Sequence, residues 1–272
     1  MVTKAIHLEL ITDLTSEAFI AALKRFCSRR GKCSKLFSDN ATNFVGACAE
    51  LKKLQRLAID QKEPMAQYLA KENIEWKFLP PRAPNFGGLW EAGVKSFKYH
   101  FKRVVGNDKL TYEQFLTVVI QIEGILNSRP LSSLSSDIDD LQVLTPGHFL
   151  IGRPNNAIVE PDITDIPDNR LKLWKRVTKI VQLIWKRWHM NYLSHLQNRS
   201  KWTLEKDNLK VGTMVLIKDD NLPCLKWAIG RITEVFYGKD DKIRVCNVKT
   251  SSGVLKRPVT KLCVLPIEEE NK

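Results

Sequence analysis

Apolar and polar positions alternate between two periods along this chain, and the change of period marks its elements. Ala5–Ile11 (AIHLELI) alternates well enough to predict an edge strand. Asp13 and Thr15 then offer capping oxygens to a helix over Ser16–Cys27, with Ala18, Phe19, Ala22, Leu23 and Phe26 as its apolar stripe and Gly31 as its stop. Lys35–Asp39 predicts a short buried strand with Asp39 at its C-terminal end. Phe44–Ile59 predicts a helix with Val45, Cys48, Leu51, Leu54 and Ala58 on one side. A second short helix near Pro64–Glu72 and a strand over Ile74–Leu79 follow.

Next comes Pro80-Pro81-Arg82-Ala83-Pro84-Asn85-Phe86-Gly87-Gly88, a loop of fixed-φ prolines and permissive glycines. It delivers Glu91 to the first turn of a helix. On that helix Lys95, Lys98 and Lys102 fall within about 40° of Glu91, while Val94, Phe97, Phe101 and Val104 point the other way. Tyr112–Asn127 predicts a long helix capped by Thr111 and stopped before Pro130. Ser132–Asp140 reads as an acidic loop and Leu144–Gly152 as a turn-rich element. Asn155–Asn169 reads as an extended linker at a domain boundary. In the helix over Leu171–His195, Leu173, Val177, Ile180, Val181, Ile184 and Trp188 face inward. Lys175, Arg176, Lys179, Lys186 and Arg187 lie opposite.

From Val211 the texture turns to short β segments: Met214–Lys218, Ala228–Phe236, Ile243–Lys249 and Val259–Leu265. These predict a small β-barrel, with Lys256 and Arg257 as a basic edge before its last strand. The fold class expected is α/β. Residues 1–154 form the core, 155–200 the linker and basic helix, and 201–272 the β domain.

Composition sharpens the functional side. The 272 residues carry 43 Lys+Arg against 30 Asp+Glu, a formal net charge of +13, which points to a polyanionic partner. The charge is uneven. Leu171–Lys201 holds eight cations and no acid, and Ser132–Arg170 is locally −5. The six cysteines show no CxxC spacing and read as buried thiols. Met1 leads straight into an apolar strand pattern without the texture of a signal peptide, and no apolar run reaches membrane-spanning length. No membrane partner is expected, and an intracellular, reducing site fits.

Asp39 and Glu91 are the carboxylates suited to a hard cation such as Mg²⁺ or Mn²⁺, which keeps waters that a phosphate can replace. On the residues alone the plain reading prevails. Asp39 is a routine turn former and Glu91 a routine first-turn acid.

A resemblance alters that balance. Phe37-Ser38-Asp39-Asn40-Ala41-Thr42-Asn43-Phe44 resembles the DNG-x-x-F segment of retroviral-type integrases, with Ala41 where Gly is usual. Phe78–Ala92 resembles the loop and helix carrying that family's last catalytic Glu. The similarity is greatest to integrases of the BEL/Pao group of LTR retrotransposons. It extends through Ile6–Ala18, Asn127–Leu131 and Leu144–Leu150, and into that group's small C-terminal β domain at Lys218–Pro223, Gly230-Arg231 and Leu255–Pro266.

The resemblance implies an RNase H-like core, an SH3-like barrel, and metal-dependent 3′-processing and strand transfer. It makes Asp39 and Glu91 the second and third catalytic acids and metal ligands. It sets Lys95 and Lys98 on the face that meets element DNA; Lys102, Lys175, Arg176, Lys179, Lys186, Arg187, Lys256 and Arg257 join them as nucleic-acid-binding candidates. The expected partners are double-stranded DNA, at element ends and target, and further integrase copies, by self-association or by assembly with a complete enzyme. Synthesis in the cytoplasm and action in the nucleus follow. No residue in the opening segment matches the family's first catalytic Asp; Asp13 reads as a cap. The expectation is therefore an N-terminally truncated core with weak or no metal binding and impaired catalysis. The other reading is a non-catalytic DNA- or chromatin-binding or assembly protein on the same scaffold.

Overall fold

A computed structural model describes residues 3–60, 74–80, 87–137, 139–197, 209–240 and 242–267. The helix expected near Pro64–Glu72 and most of the proline-rich loop lie outside them. Helices and sheets are mixed, and the chain divides into two compact units: His7–Ser96, and Met1–Ile6 together with Phe97–Lys272.

The first unit contains helix α1 (Ser16–Arg30), strand β1 (Lys35–Ser38), helix α2 (Thr42–Asp60) and strand β2 (Glu75–Phe78). Thr15 caps α1 by accepting the Ala18 N–H, and Gly31 at φ 84° ends it. β1 and β2 pair in parallel, Leu36 opposite Trp76 and Ser38 opposite Phe78. Their aromatic side chains meet α1 and α2. Phe19 lies edge-on to Phe44 at 4.9 Å and 5.5 Å from Trp76, whose Nε1 donates to Ser38 Oγ. The helices cross closely at Gly46, where an added Cβ would run into the Ser16 side chain.

Three expectations change along the chain up to α2. Ala5–Ile11 joins no sheet among the described residues. At its start the backbone is held instead by a side chain: Ile6 N–H donates to Asn127 Oδ1 at 2.8 Å, and Asn127 Nδ2 donates to Ile6 C=O at 2.7 Å. β1 is not buried throughout; only Ser38 is, and Lys35 and Phe37 are exposed. On α2 the inward face is Phe44, Ala47, Cys48 and Leu51. Val45 and Leu54 are exposed, since the buried face of α2 is centred on Ala47 and Cys48.

In the second unit, helix α4 (Tyr112–Asn127) packs on helix α6 (Leu173–Leu196), with the end of helix α3 (Gly88–Val105) against both. A full capping box starts α4: Thr111 Oγ1 accepts the Gln114 N–H, and Gln114 Oε1 accepts the Thr111 N–H. Val118, Ile122, Ile125 and Leu126 of α4 meet Val177, Ile180, Val181, Ile184 and Trp185 of α6. Leu173 was expected in that stripe but is exposed, because the buried stripe begins at Val177. Strands β3 (Ser132–Ser133) and β4 (Val143–Leu144) pair across the acidic loop, and the short helix α5 (Pro146–Ile151) ends at Gly152 in the left-handed region.

Strands β5 (Met214–Ile217), β6 (Ile229–Tyr237), β7 (Ile243–Thr250), β8 (Gly253–Pro258) and β9 (Leu262–Val264) form one antiparallel sheet in the order β8-β7-β6-β5-β9. The unbroken apolar run of β5 has a physical cause. Val215 and Ile217 enter a core with Ile232, Cys246 and Val248, while Met214 and Leu216 meet Leu193 of α6 and Cys263. β8 corrects the sequence reading: Lys256 and Arg257 lie within a strand paired to β7, not in a break before the last strand.

Candidate nucleic-acid interface

Helix α3 carries the feature around which the candidate site is built. Its inward side is apolar. Phe97 and Phe101 stack at 5.4 Å, Phe101 reaches Phe115 at 5.1 Å, and Val105 and His100 are buried. Burial pushes the His100 imidazole below its ordinary value, and the nearby Arg187 charge adds to that. Val94, expected inward, is exposed, because burial along the helix begins a turn later with Phe97.

The outward side shows Glu91, Lys95, Lys98 and Lys102, all exposed. Glu91 bends back over the helix start: a Cβ placed on Gly87 would lie 2.7 Å from its Oε1, so a larger residue there would push the Glu91 side chain aside. A carboxylate there also complements the helix dipole. None of the three lysines is in an ion pair with any described residue.

Asp39 stands just past the C-terminal end of β1, where parallel strands gather sites. Its Oδ1 accepts the Ala41 N–H at 3.0 Å, and Asn40 beside it donates to Leu79 C=O at 2.8 Å. The turn is thus tied to the end of β2. No hydrogen bond or ion pair joins Asp39 to Glu91, and no group of three or more His, Cys, Asp or Glu side chains gathers among the described residues.

The basic face of α6 is largely engaged within its own unit. Lys179 Nζ donates to Asp168 Oδ1 and Ile166 C=O, both at 2.7 Å. Lys186 Nζ contacts Asp162 Oδ2 and Thr164 Oγ1, also at 2.7 Å. Arg176 Nε donates to Asp168 C=O, and Gln182 clamps both Pro161 C=O and Ile163 N–H. The acidic stretch before the helix lies along it as a strap, with Ile163 buried. Two acids of the locally −5 stretch, Asp168 and Asp162, thus pair with two cations of the acid-free helix, Lys179 and Lys186. Lys175 and Arg187 stay exposed. Lys175 stands 5.5 Å from the Trp174 ring, and Arg187 Nη1 donates to Arg103 C=O at 3.0 Å.

On β8, Lys256 lies 4.2 Å over the Phe236 ring, and Arg257 Nη1 donates to Lys256 C=O. A residue the sequence reading placed only in a resembling dipeptide is Arg231. It is buried, and its guanidinium donates to Gly212, Ser135 and Asp140 carbonyls, pinning the acidic loop to β6. A lone arginine inside an apolar strand (Ile229–Ile232) was the available signal.

Residues 172–265 match a family of unknown function (DUF5641), a span that takes in all of α6 and the β-sheet. No curated protein sequence matches the chain. Among solved structures, the chain is similar to a chain of the cryoEM structure of simian T-cell lymphotropic virus intasome in complex with PP2A regulatory subunit B56 gamma. The identity is 12% and the TM-score 0.32, over 92% of this chain and 64% of that one. No helix among the described residues is long and apolar enough to cross a membrane.

Proposed function

We propose that this chain is an integrase-derived DNA-binding protein with an RNase H-like core and an SH3-like β domain, akin to the BEL/Pao group. The observation that carries the reading is the contrast between two basic helices. Lys179 and Lys186 of α6 spend their charge on Asp168 and Asp162. Lys95, Lys98 and Lys102 of α3 form an exposed row without ion pairs among the described residues, headed by Glu91. Exposed lysines in a row suit the phosphates of double-stranded DNA, giving affinity rather than sequence readout.

DNA integration, by 3′-processing and strand transfer, is then the activity of a complete assembly. This chain brings Asp39 and Glu91 as two of its metal-holding acids and joins through self-association or with a complete integrase, in the nucleus. Alone it binds DNA without sustained strand transfer, since two carboxylates hold Mg²⁺ or Mn²⁺ poorly.

The test is duplex binding across a salt series. Affinity falls steeply as salt rises. Reversing Lys95 and Lys98 to Glu weakens binding more than reversing Lys52 and Lys53 on α2, where Lys53 already stands 4.0 Å from Glu50. Equal losses, or binding indifferent to salt, would remove the interface; robust Mg²⁺-dependent strand transfer by the chain alone would remove the division of labour.

A further inference from the structure

Helix α6 opens on a tryptophan that the fold leaves in water. Leu171 is buried and Lys172 is the N-cap, but Leu173 and Trp174 then stand 66% and 59% exposed. Three turns on, Trp185 and Trp188 of the same helix are 1% and 6% exposed and sit among other rings. The core of this unit therefore takes the later tryptophans of α6 and leaves the first one out.

The cations beside that ring are also unspent. Lys175 Nζ lies 5.5 Å from the Trp174 ring centroid, and no described carboxylate pairs with it. Lys172 stands three residues earlier, on the same side of the helix as Lys175. It too is exposed and outside any ion pair among the described residues. Further along α6 the situation differs: Asp168 holds Lys179 and Asp162 holds Lys186. The carboxylates of the strap reach cations of later turns and none in the first.

An exposed indole flanked by free ammonium groups suits a partner that is both negative and flat. An acidic protein surface supplies charge without a flat face. A nucleic-acid duplex supplies phosphates but hides its base faces inside the stack. An unpaired strand offers a phosphate and an open base face at every nucleotide. We infer that Trp174 is a stacking platform for an unpaired base of single-stranded nucleic acid, with Lys172 and Lys175 meeting the neighbouring phosphates. Every base has such a face, so the site tolerates any sequence. The inference goes beyond the duplex reading of the α3 lysines: it gives the chain a second nucleic-acid surface with a different ligand.

The experiment uses the full chain and three probes: a short labelled oligothymidylate, an abasic strand of the same length, and a duplex. Trp174→Ala weakens oligothymidylate binding roughly tenfold, while Trp174→Phe keeps most of the affinity because a ring remains. Both variants bind the duplex as wild type does. On the abasic strand, which has phosphates but no base to stack, wild type and Trp174→Ala bind alike. Lys172→Ala and Lys175→Ala each weaken oligothymidylate binding and flatten its salt slope by about 0.7. Trp174 is exposed, so the variants melt with the wild type. Wild-type affinity of Trp174→Ala for oligothymidylate overturns the platform, as does an equal loss on the abasic strand or on the duplex. A Trp174→Ala variant that changes its sedimentation but not its oligothymidylate affinity overturns it too, in favour of a contact between copies. Wild-type chain that binds the duplex but not oligothymidylate ends this inference alone. The reverse result ends the duplex reading and keeps the platform.

Discussion

Lys186 Nζ sits 2.7 Å from Asp162 Oδ2, and Thr164 donates its hydroxyl and its N–H to the other oxygen of the same carboxyl. These bonds pull the Asp162 carboxyl from its ordinary 3.8 down to about 2, the Lys186 bond contributing most. A depressed acid stabilises the fold above its unfolded value and loses that effect as pH falls through its folded value. The stability gap between wild type and Asp162→Asn therefore closes between pH 3.8 and about 2. The Asp162 side chain is 56% exposed, so screening limits the effect to about 1 kcal/mol or less. Denaturant melts across that pH range check it.

The strap also makes a prediction about binding. In an Asp162→Asn, Asp168→Asn double variant, Lys179 and Lys186 lose their carboxylate partners. Duplex affinity at fixed low salt rises roughly threefold to tenfold, with a steeper salt slope. An unchanged slope would mean that α6 stays clear of DNA even when its charges are released.

His189 gives a second pH dependence. It stacks on Trp185 at 5.0 Å and lies 4.9 Å from Trp227, and burial pushes its imidazole from 6.5 down to about 4, against the pull of Asp219 and Asp220. The unfolded chain takes up the proton first, so stability is full above pH 6.5 and drains away as pH falls to about 4. A shift of that size corresponds to something on the order of 3 kcal/mol. Melting temperature against pH shows this slope in the wild type, and His189→Gln flattens it.

Gly230 lies opposite Thr250 of β7 and Val215 of β5. A Cβ there would lie 2.8 Å from the Lys249 carbonyl oxygen and 3.1 Å from Thr250 Cγ2. A backbone oxygen inside a strand pair cannot yield as a side-chain tip can. Gly230→Ala costs about 1–3 kcal/mol in urea unfolding, although alanine is the better strand former by entropy.

Arg231→Leu leaves the carbonyls of Gly212, Ser135 and Asp140 without their shared donor. Stability falls by about 3 kcal/mol, and Arg231→Lys recovers only part, since one ammonium cannot reproduce the fork. Hydrogen exchange at the Ser132–Asp140 loop rises in both.

Much of this arrangement was legible where periodicity and caps agree. Thr111, Thr15 and Gly31 set helix ends that the structure keeps, and the buried stripe of α6 from Val177 to Trp188 is plain in the sequence. The failures share one cause. Ala5–Ile11 alternates like a strand, but Asn127, 121 residues from Ile6, takes its first backbone pair. β8 was hidden because Lys256, Arg257 and Pro258 look like a break, although an edge strand tolerates all three. The partners of Lys179 and Lys186 were in view as an acidic segment, yet only folding lays it along the helix. Pairings between distant segments decide which cations remain available, and a linear reading sees charges without their partners. For the site itself, the sequence marks Asp39, Glu91 and the lysine row, but not the Arg187 bond to the Arg103 carbonyl, which needs two helices.

The Asn127–Ile6 bond pair bears on how this protein can be cut. Asn127 is wholly buried, and both ends of its amide are used by the backbone of Ile6. Its unit joins the residues up to Ile6 to those from Phe97 onward, with His7–Ser96 as the other unit. A fragment starting at Phe97 would keep α4, α6 and the sheet but leave that amide facing a gap. The smallest excisable piece therefore includes the opening residues, spliced onto Phe97 through a short linker.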